Sequence, residues 1–143
     1  LKQKHKNSLL ILIGNGENFK LIKELVKARN LTDSVCFIGN VNNVQDYMQV
    51  MDVFVLPSRF EGLPIVGVEA QANGLPTMVS TSVSDELELS DAIDFISLEN
   101  QKMWIQKLLS YIGTKRFNTF ESLTKNGYNI ESTVSKLKKI YED

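Results

Sequence analysis

Five short apolar runs alternate with stretches of helical periodicity, and this alternation limits the folds open to the chain more than any other feature. The runs are Leu9–Ile13, Val35–Ile38, Val53–Leu56, Thr77–Ser80 and Phe95–Leu98. They are rich in β-branched and aromatic residues and lack the polar alternation of a half-solvated strand. Strands buried on both faces and separated by helices predict an α/β fold with a parallel, doubly wound sheet.

The helices follow from spacing. Leu21, Ile22, Leu25, Val26 and Ala28 recur at helical intervals between Glu17 and Arg29. Asn42 or Asn43 is placed to cap a short helix carrying Val44, Tyr47, Met48 and Met51. Ile65 to Asn73 reads as a helix stopped by Gly74 and Pro76. The last third turns helical. Met103, Trp104, Leu108 and Leu109 share one face, and further helices are expected over Lys115–Asn126 and Ile130–Tyr141. Along the last of these, Ile130, Val134, Leu137, Ile140 and Tyr141 form an apolar face suited to meet another domain.

Residues 1–143 carry no repeat and no long Gly/Ser linker, so the whole length is read as one domain. With 43% hydrophobic residues it has material for one core, and a net charge of −1 argues against nucleic-acid binding. Lysines gather near both ends (Lys2, Lys4, Lys6; Lys136, Lys138, Lys139). Solvated helix faces and a weak attraction to an anionic membrane surface both stay open for them. The lone Cys36 sits in an apolar run and reads as a small buried hydrophobe, in keeping with a reducing cytoplasm. Leu1 to Asn7 looks like the tail of a helix with no initiator Met, so the chain is read as a piece of a longer protein.

In open parallel sheets, ligands bind beyond the carboxyl ends of the strands. The loops there are Gly14-Asn15-Gly16, Gly39-Asn40-Val41, Ser58 to Pro64 and Ser80 to Ser84. Within them two glutamates stand out, Glu61 and Glu69, with seven residues between them. Glu61 falls on a strand-to-helix loop, and Glu69 about one turn into the helix that follows. Free amides and the macrodipole at a helix start favour an anion. Carboxylates that accept from hydroxyls, beside amides that donate to phosphate, suggest a nucleotide-sugar site. Other groups carry less. Phe19 occupies the third glycine's place after Gly14-Asn15-Gly16, which argues against a dinucleotide fingerprint. Asp85, Glu86, Glu88 and Asp91 read as a solvated loop. No His/Cys cluster has ligand spacing, so no metal and no cofactor are expected.

Taken in order, Leu12-Ile13-Gly14-Asn15-Gly16, Val35-Cys36-Phe37-Ile38-Gly39-Asn40-Val41, Asp52-Val53-Phe54-Val55-Leu56-Pro57-Ser58, Glu61-Gly62-Leu63-Pro64 and Glu69-Ala70-Gln71-Ala72-Asn73-Gly74-Leu75-Pro76 resemble the C-terminal half of a retaining, family 4 glycosyltransferase of the two-Rossmann-domain (GT-B) type. The last segment is similar to bacterial enzymes of capsular or exopolysaccharide synthesis. The resemblance implies that Glu69 accepts from the ribose hydroxyls of a nucleotide-diphosphate sugar, with a UDP-sugar as donor, and that Glu61 holds hydroxyls of the transferred sugar at the catalytic centre. Gly62, Leu63 and Pro64 would lay backbone beside the sugar and diphosphate. Gly14 would admit the phosphates, Gly39, Asn40 and Val41 would meet the base, and Ser58 would line the site. Arg59 would reach phosphate or acceptor, or else pair with Glu61 at the surface.

Two departures matter. Gly62-Leu63-Pro64 stands where many relatives have Gly-Phe-Gly, which removes one amide donor. The family's diphosphate-neutralising Arg and Lys, and the N-terminal acceptor domain, lie upstream of Leu1. The expected enzyme works in the cytoplasm, at the inner face of the membrane. A non-catalytic nucleotide-binding or interaction module, and another GT-B enzyme such as a sugar-nucleotide epimerase, remain alternatives.

Overall fold

The computed structural model describes residues 5–142, which divide into two compact units at Asp46/Tyr47. In the first, β1 (Leu10–Ile13) pairs in parallel with β2 (Val35–Gly39), and α1 (Phe19–Ala28) joins them. The register runs Leu10 to Val35, Ile11 to Cys36 and Leu12 to Phe37, then slips so that Ile13 faces Gly39. Edge-to-face contact between Phe19 and Phe37, with centroids 5.5 Å apart, ties α1 to β2, and the Lys23 ammonium lies 4.5 Å from the Phe19 centroid. Cys36 is half-buried with a free thiol. A turn occupies residues 5–8, closed by the Ser8 amide on the His5 carbonyl, where a helix tail was expected. The rest of that expectation, and Lys2 and Lys4, lie outside the described residues.

The boundary falls within α2 (Val44–Gln49), which Asn43 precedes; its side chain donates to the Asp46 carboxylate at 2.8 Å. The second unit is a parallel sheet in the order β3 (Phe54–Leu56), β4 (Thr77–Ser80), β5 (Ile93–Ile96). With it run α3 (Ile65–Ala72), α4 (Gln101–Ser110), α5 (Phe120–Lys125) and α6 (Ile130–Glu142). The central strand β4 is buried at every position, as an apolar run bounded by Pro76 and a polar loop requires. Val68 of α3 joins Val79, Val83, Leu87, Leu89 and Leu123 in one core, with Leu56, Ile93 and Phe95 against it. Full burial of a side chain such as Leu87 contributes roughly 1.5–3 kcal/mol.

Two boundaries depart from the sequence reading. The fifth strand is Ile93–Ile96, two residues earlier than expected. Asp94 hid its start; in the fold this carboxylate pairs with Lys107 at 2.8 Å and accepts from the Tyr111 hydroxyl. Burial, that hydrogen bond and the Asp94 charge together push the Tyr111 phenol well above its ordinary range. Ser97 leaves the strand, its hydroxyl accepting the Glu99 amide at 3.3 Å and its carbonyl the Trp104 indole N–H at 3.0 Å. The helix expected from Lys115 starts at Phe120, because Arg116 and Phe117 serve as a non-helical strap. The Phe117 amide bonds the Gly74 carbonyl at 2.9 Å. Arg116 donates to the carbonyls of Met48 (2.6 Å), Gln49 (3.0 Å), Met51 (2.9 Å) and Asn73 (3.3 Å). The apolar face expected on α6 is present and open, with Ile130, Val134, Leu137, Ile140 and Tyr141 all exposed. Among the described residues, no helix is long and apolar enough to cross a membrane.

Candidate functional site

Each unit brings two of the expected loops together. In the first, Gly14 and Gly39 end their parallel strands side by side, the Gly14 amide donating to the Gly39 carbonyl at 2.7 Å. Their φ values of 118° and 79° are ones that side-chain-bearing residues rarely adopt, so backbone geometry alone accounts for glycine at both. Asn40 is exposed and Val41 half-buried in the loop that leaves β2. An open groove of about 300 Å³ runs along Gly14, Asn15, Gly16 and Phe19 to Phe37.

In the second unit, the β3–α3 loop (57–64) lies against the segment that follows β4. The Ser80 hydroxyl donates to the Ser58 carbonyl. The Ser84 amide donates to the Glu61 carbonyl at 3.2 Å, and Glu61 forms a parallel bridge with Val83. The Ser58 hydroxyl then donates to Glu61 Oε1 at 3.2 Å. Glu61 is half-buried, whereas Arg59 and Phe60 point into solvent. Among the described residues no ion pair joins Arg59 to Glu61; that carboxylate is bonded to Ser58 instead.

Pro64 is the N-cap of α3, one position before the helix proper, with φ −73° and ψ 115°. Its ring suits that φ, and its carbonyl accepts the amides of Gly67 (2.9 Å) and Val68 (3.4 Å). The amides of Leu63, Ile65 and Val66 donate to no acceptor among the described residues. They form an open helix start carrying about half a positive charge. Glu69 lies four residues after Ile65, on the same helix face, and is half-buried. The opposite face, with Gly67, Val68, Ala70 and Gln71, is buried.

Besides Gly74, which the sequence marks as the helix stop, α3 is held by residues that local pattern does not single out. Gln71 is fully buried; its amide donates to the Leu87 carbonyl at 2.8 Å and accepts from the Ser90 hydroxyl at 2.8 Å. Thr119 donates to the Gln71 carbonyl at 2.7 Å. The Asn73 amide bonds the Glu69 carbonyl at 2.9 Å and receives Gln49. Past the helix end, Gly74 and Leu75 return their amides to Gln71 and Ala70, a left-handed cap with Gly74 at φ 63°. The local sign of this in the sequence is a glutamine set between Ala70 and Ala72. The acidic stretch 85–91 begins with a 3₁₀ turn, Asp85–Leu87, capped by Ser84. Among the described residues, no group of three or more acidic, His or Cys side chains is placed to hold a metal.

EpsF of Bacillus subtilis (strain 168), provisionally named a glycosyltransferase, is 33% identical over 146 residues, covering 99% of this chain and 38% of that protein. CapH of Staphylococcus aureus, a capsular polysaccharide biosynthesis glycosyltransferase, is 27% identical over 145 residues, covering 98% of the chain and 40% of CapH. The chain thus spans about two-fifths of the length of these curated relatives. Among solved structures, a mutant of Staphylococcus aureus TarM in complex with fondaparinux, alpha-GlcNAc-glycerol and UDP superposes with a TM-score of 0.82. That match has 18% identity and covers 99% of this chain and 30% of TarM. It shows a shared fold, the Rossmann-like half of a GT-B architecture. The family model described as glycosyl transferases group 1 matches residues 1–110, and the chain belongs to that family.

Proposed function

We propose that this chain is the donor-binding part of a retaining glycosyltransferase that works in bacterial surface-polysaccharide synthesis. The observation carrying the reading is the open start of α3, whose amides, unpaired among the described residues, have Glu61 before them and Glu69 after them on one short stretch. In this reading the amides of Leu63, Ile65 and Val66 meet the diphosphate of a UDP-sugar. Glu69 accepts from both ribose hydroxyls, and Glu61 from hydroxyls of the sugar. Arg59 reaches phosphate or acceptor. The UDP bound to TarM and the polysaccharide role named for CapH support the donor and the process.

Transfer breaks the bond from the anomeric carbon to the diphosphate oxygen and forms one to the acceptor oxygen on the same face. The leaving phosphate takes the acceptor's proton, so no protein base is needed. Catalysis then rests on donors aimed where the diphosphate gains charge, and on holding the acceptor in line. The cations that neutralise the diphosphate, and the acceptor site, belong to residues outside this chain. The chain alone therefore binds donor and transfers nothing. The whole protein works in the cytoplasm, at the inner face of the membrane, where the basic cluster at Lys136, Lys138 and Lys139 adds a weak attraction.

Titration with UDP, GDP and ADP tests the reading. Removing the charged contact to a vicinal diol in Glu69→Ala should weaken UDP binding by about 1.5–3 kcal/mol. Equal affinity of parent and variant would remove Glu69 from the site.

A further inference from the structure

We propose that Ser58 and Ser80 form a positioning relay that aims the Glu61 carboxylate at the sugar, an inference resting on the donor-site reading above. Ser80 closes β4 and is fully buried. Its hydroxyl has a single proton, committed to the Ser58 carbonyl, and its oxygen accepts the Ser82 amide at 3.3 Å. Ser58 likewise spends its one proton on Glu61 Oε1 at 3.2 Å, so it is not free to donate to a ligand. Ser58 is thereby a residue acting through Glu61 rather than a ligand contact in its own right.

The main chain of Glu61 is fixed separately, by the Ser84 amide and the bridge to Val83. Backbone and one carboxylate oxygen are therefore set in advance. The second oxygen, Oε2, has no protein partner among the described residues. A glutamate on an irregular loop otherwise loses rotamer freedom on binding, and fixing it beforehand removes that cost. The relay acts on the sugar end alone, because nothing in it touches Glu69.

That asymmetry supplies the test. Affinities of the 143-residue chain are measured by calorimetry for UDP and for UDP-glucose, UDP-galactose and UDP-N-acetylglucosamine. Ser58→Ala should weaken the best UDP-sugar by about 3–10-fold while leaving UDP within about twofold. Ser58→Thr, which keeps the hydroxyl, should restore the difference. Ser80→Ala, one bond further away, should give a smaller loss of the same kind. Parallel losses for UDP and UDP-sugar would mean that the serines only hold the loop together, and the relay would be rejected. No change in either ligand would reject it too. A parent chain that binds UDP but gains nothing from any sugar overturns the relay and leaves the ribose contact standing. A parent that binds no nucleotide removes the donor-site reading and the relay with it.

Discussion

The two carboxylates are seated by opposite means. Glu61 stands on an irregular loop and takes its direction from neighbours: a hydroxyl on one oxygen, and a bridge to Val83 along its backbone. Glu69 stands on a helix and takes its direction from the helix, its carboxylate making no hydrogen bond or ion pair among the described residues. A loop carboxylate is thus vulnerable close by. A helical one is vulnerable far away, wherever the helix is anchored. For α3 the anchors gather at its C-terminal end, in Gln71, Asn73, Gly74 and the Arg116–Phe117 strap.

The largest effect expected from this contrast is at Gly74. A Cβ there would lie 2.3 Å from the Phe117 carbonyl oxygen, a backbone atom, and the φ of 63° already disfavours any side chain. Gly74→Ala should cost roughly 3 kcal/mol or more in a denaturant melt, because neither the strap nor the cap can yield without losing hydrogen bonds. An alanine variant as stable as the parent would mean that the strap does not anchor α3. Arg116→Ala comes next. It strips a guanidinium from four carbonyls, for an expected loss of about 1.5–3 kcal/mol, and Arg116→Lys should recover less than half, having no fork to share among them. Both variants should weaken UDP and UDP-sugar together in whatever fraction remains folded, since they act through Glu69's helix.

How much of this was legible beforehand depends on how local the cause is. β4 and the start of α3 are legible because their signals, an apolar run after Pro76 and a loop ending in Pro64, lie in adjacent residues. The start of β5 is not, since Asp94 looks unlike a strand residue until Lys107 and Tyr111 arrive from α4. The strap was missed for the same reason: Arg116 finds its acceptors 43 to 68 positions away. At the site, the two glutamates and the glycines of the β1 and β2 loops were visible as residue types in order. Their roles came from family likeness, not from spacing. The Ser80 hydroxyl could not be seen at all, because its partner Ser58 is 22 residues distant and nothing local marks it.

The two carboxylates themselves should separate by ligand. Glu69→Ala should lower UDP and UDP-sugar affinity equally, by about 1.5–3 kcal/mol, while Glu61→Ala should lower only the sugar's increment, by about 1–2 kcal/mol. Calorimetry on both single variants and the double variant checks this. The losses should add if each grips a different end of the ligand. A shared loss on UDP alone would erase the distinction between the two seats.

The smallest structural effect, and the sharpest discriminator, is expected at Gly62, in contrast to its neighbour Gly67. Gly67 faces inward, and a Cβ there would come within 2.8 Å of Leu87 Cδ2. Gly67→Ala should therefore cost about 1–3 kcal/mol of stability through overpacking, whether or not a ligand is ever bound. At Gly62 an added Cβ meets nothing within 4 Å, and its φ lies outside the positive range, so neither packing nor strain demands glycine. Gly62→Ala should leave the denaturant midpoint of the free chain unchanged to within about 0.5 kcal/mol. If the donor's sugar or diphosphate lies against this backbone, the same methyl must reduce UDP-sugar affinity. A variant that is both fully stable and fully competent to bind would place the ligand elsewhere on the helix start, and would leave Glu61 without a reason to be aimed.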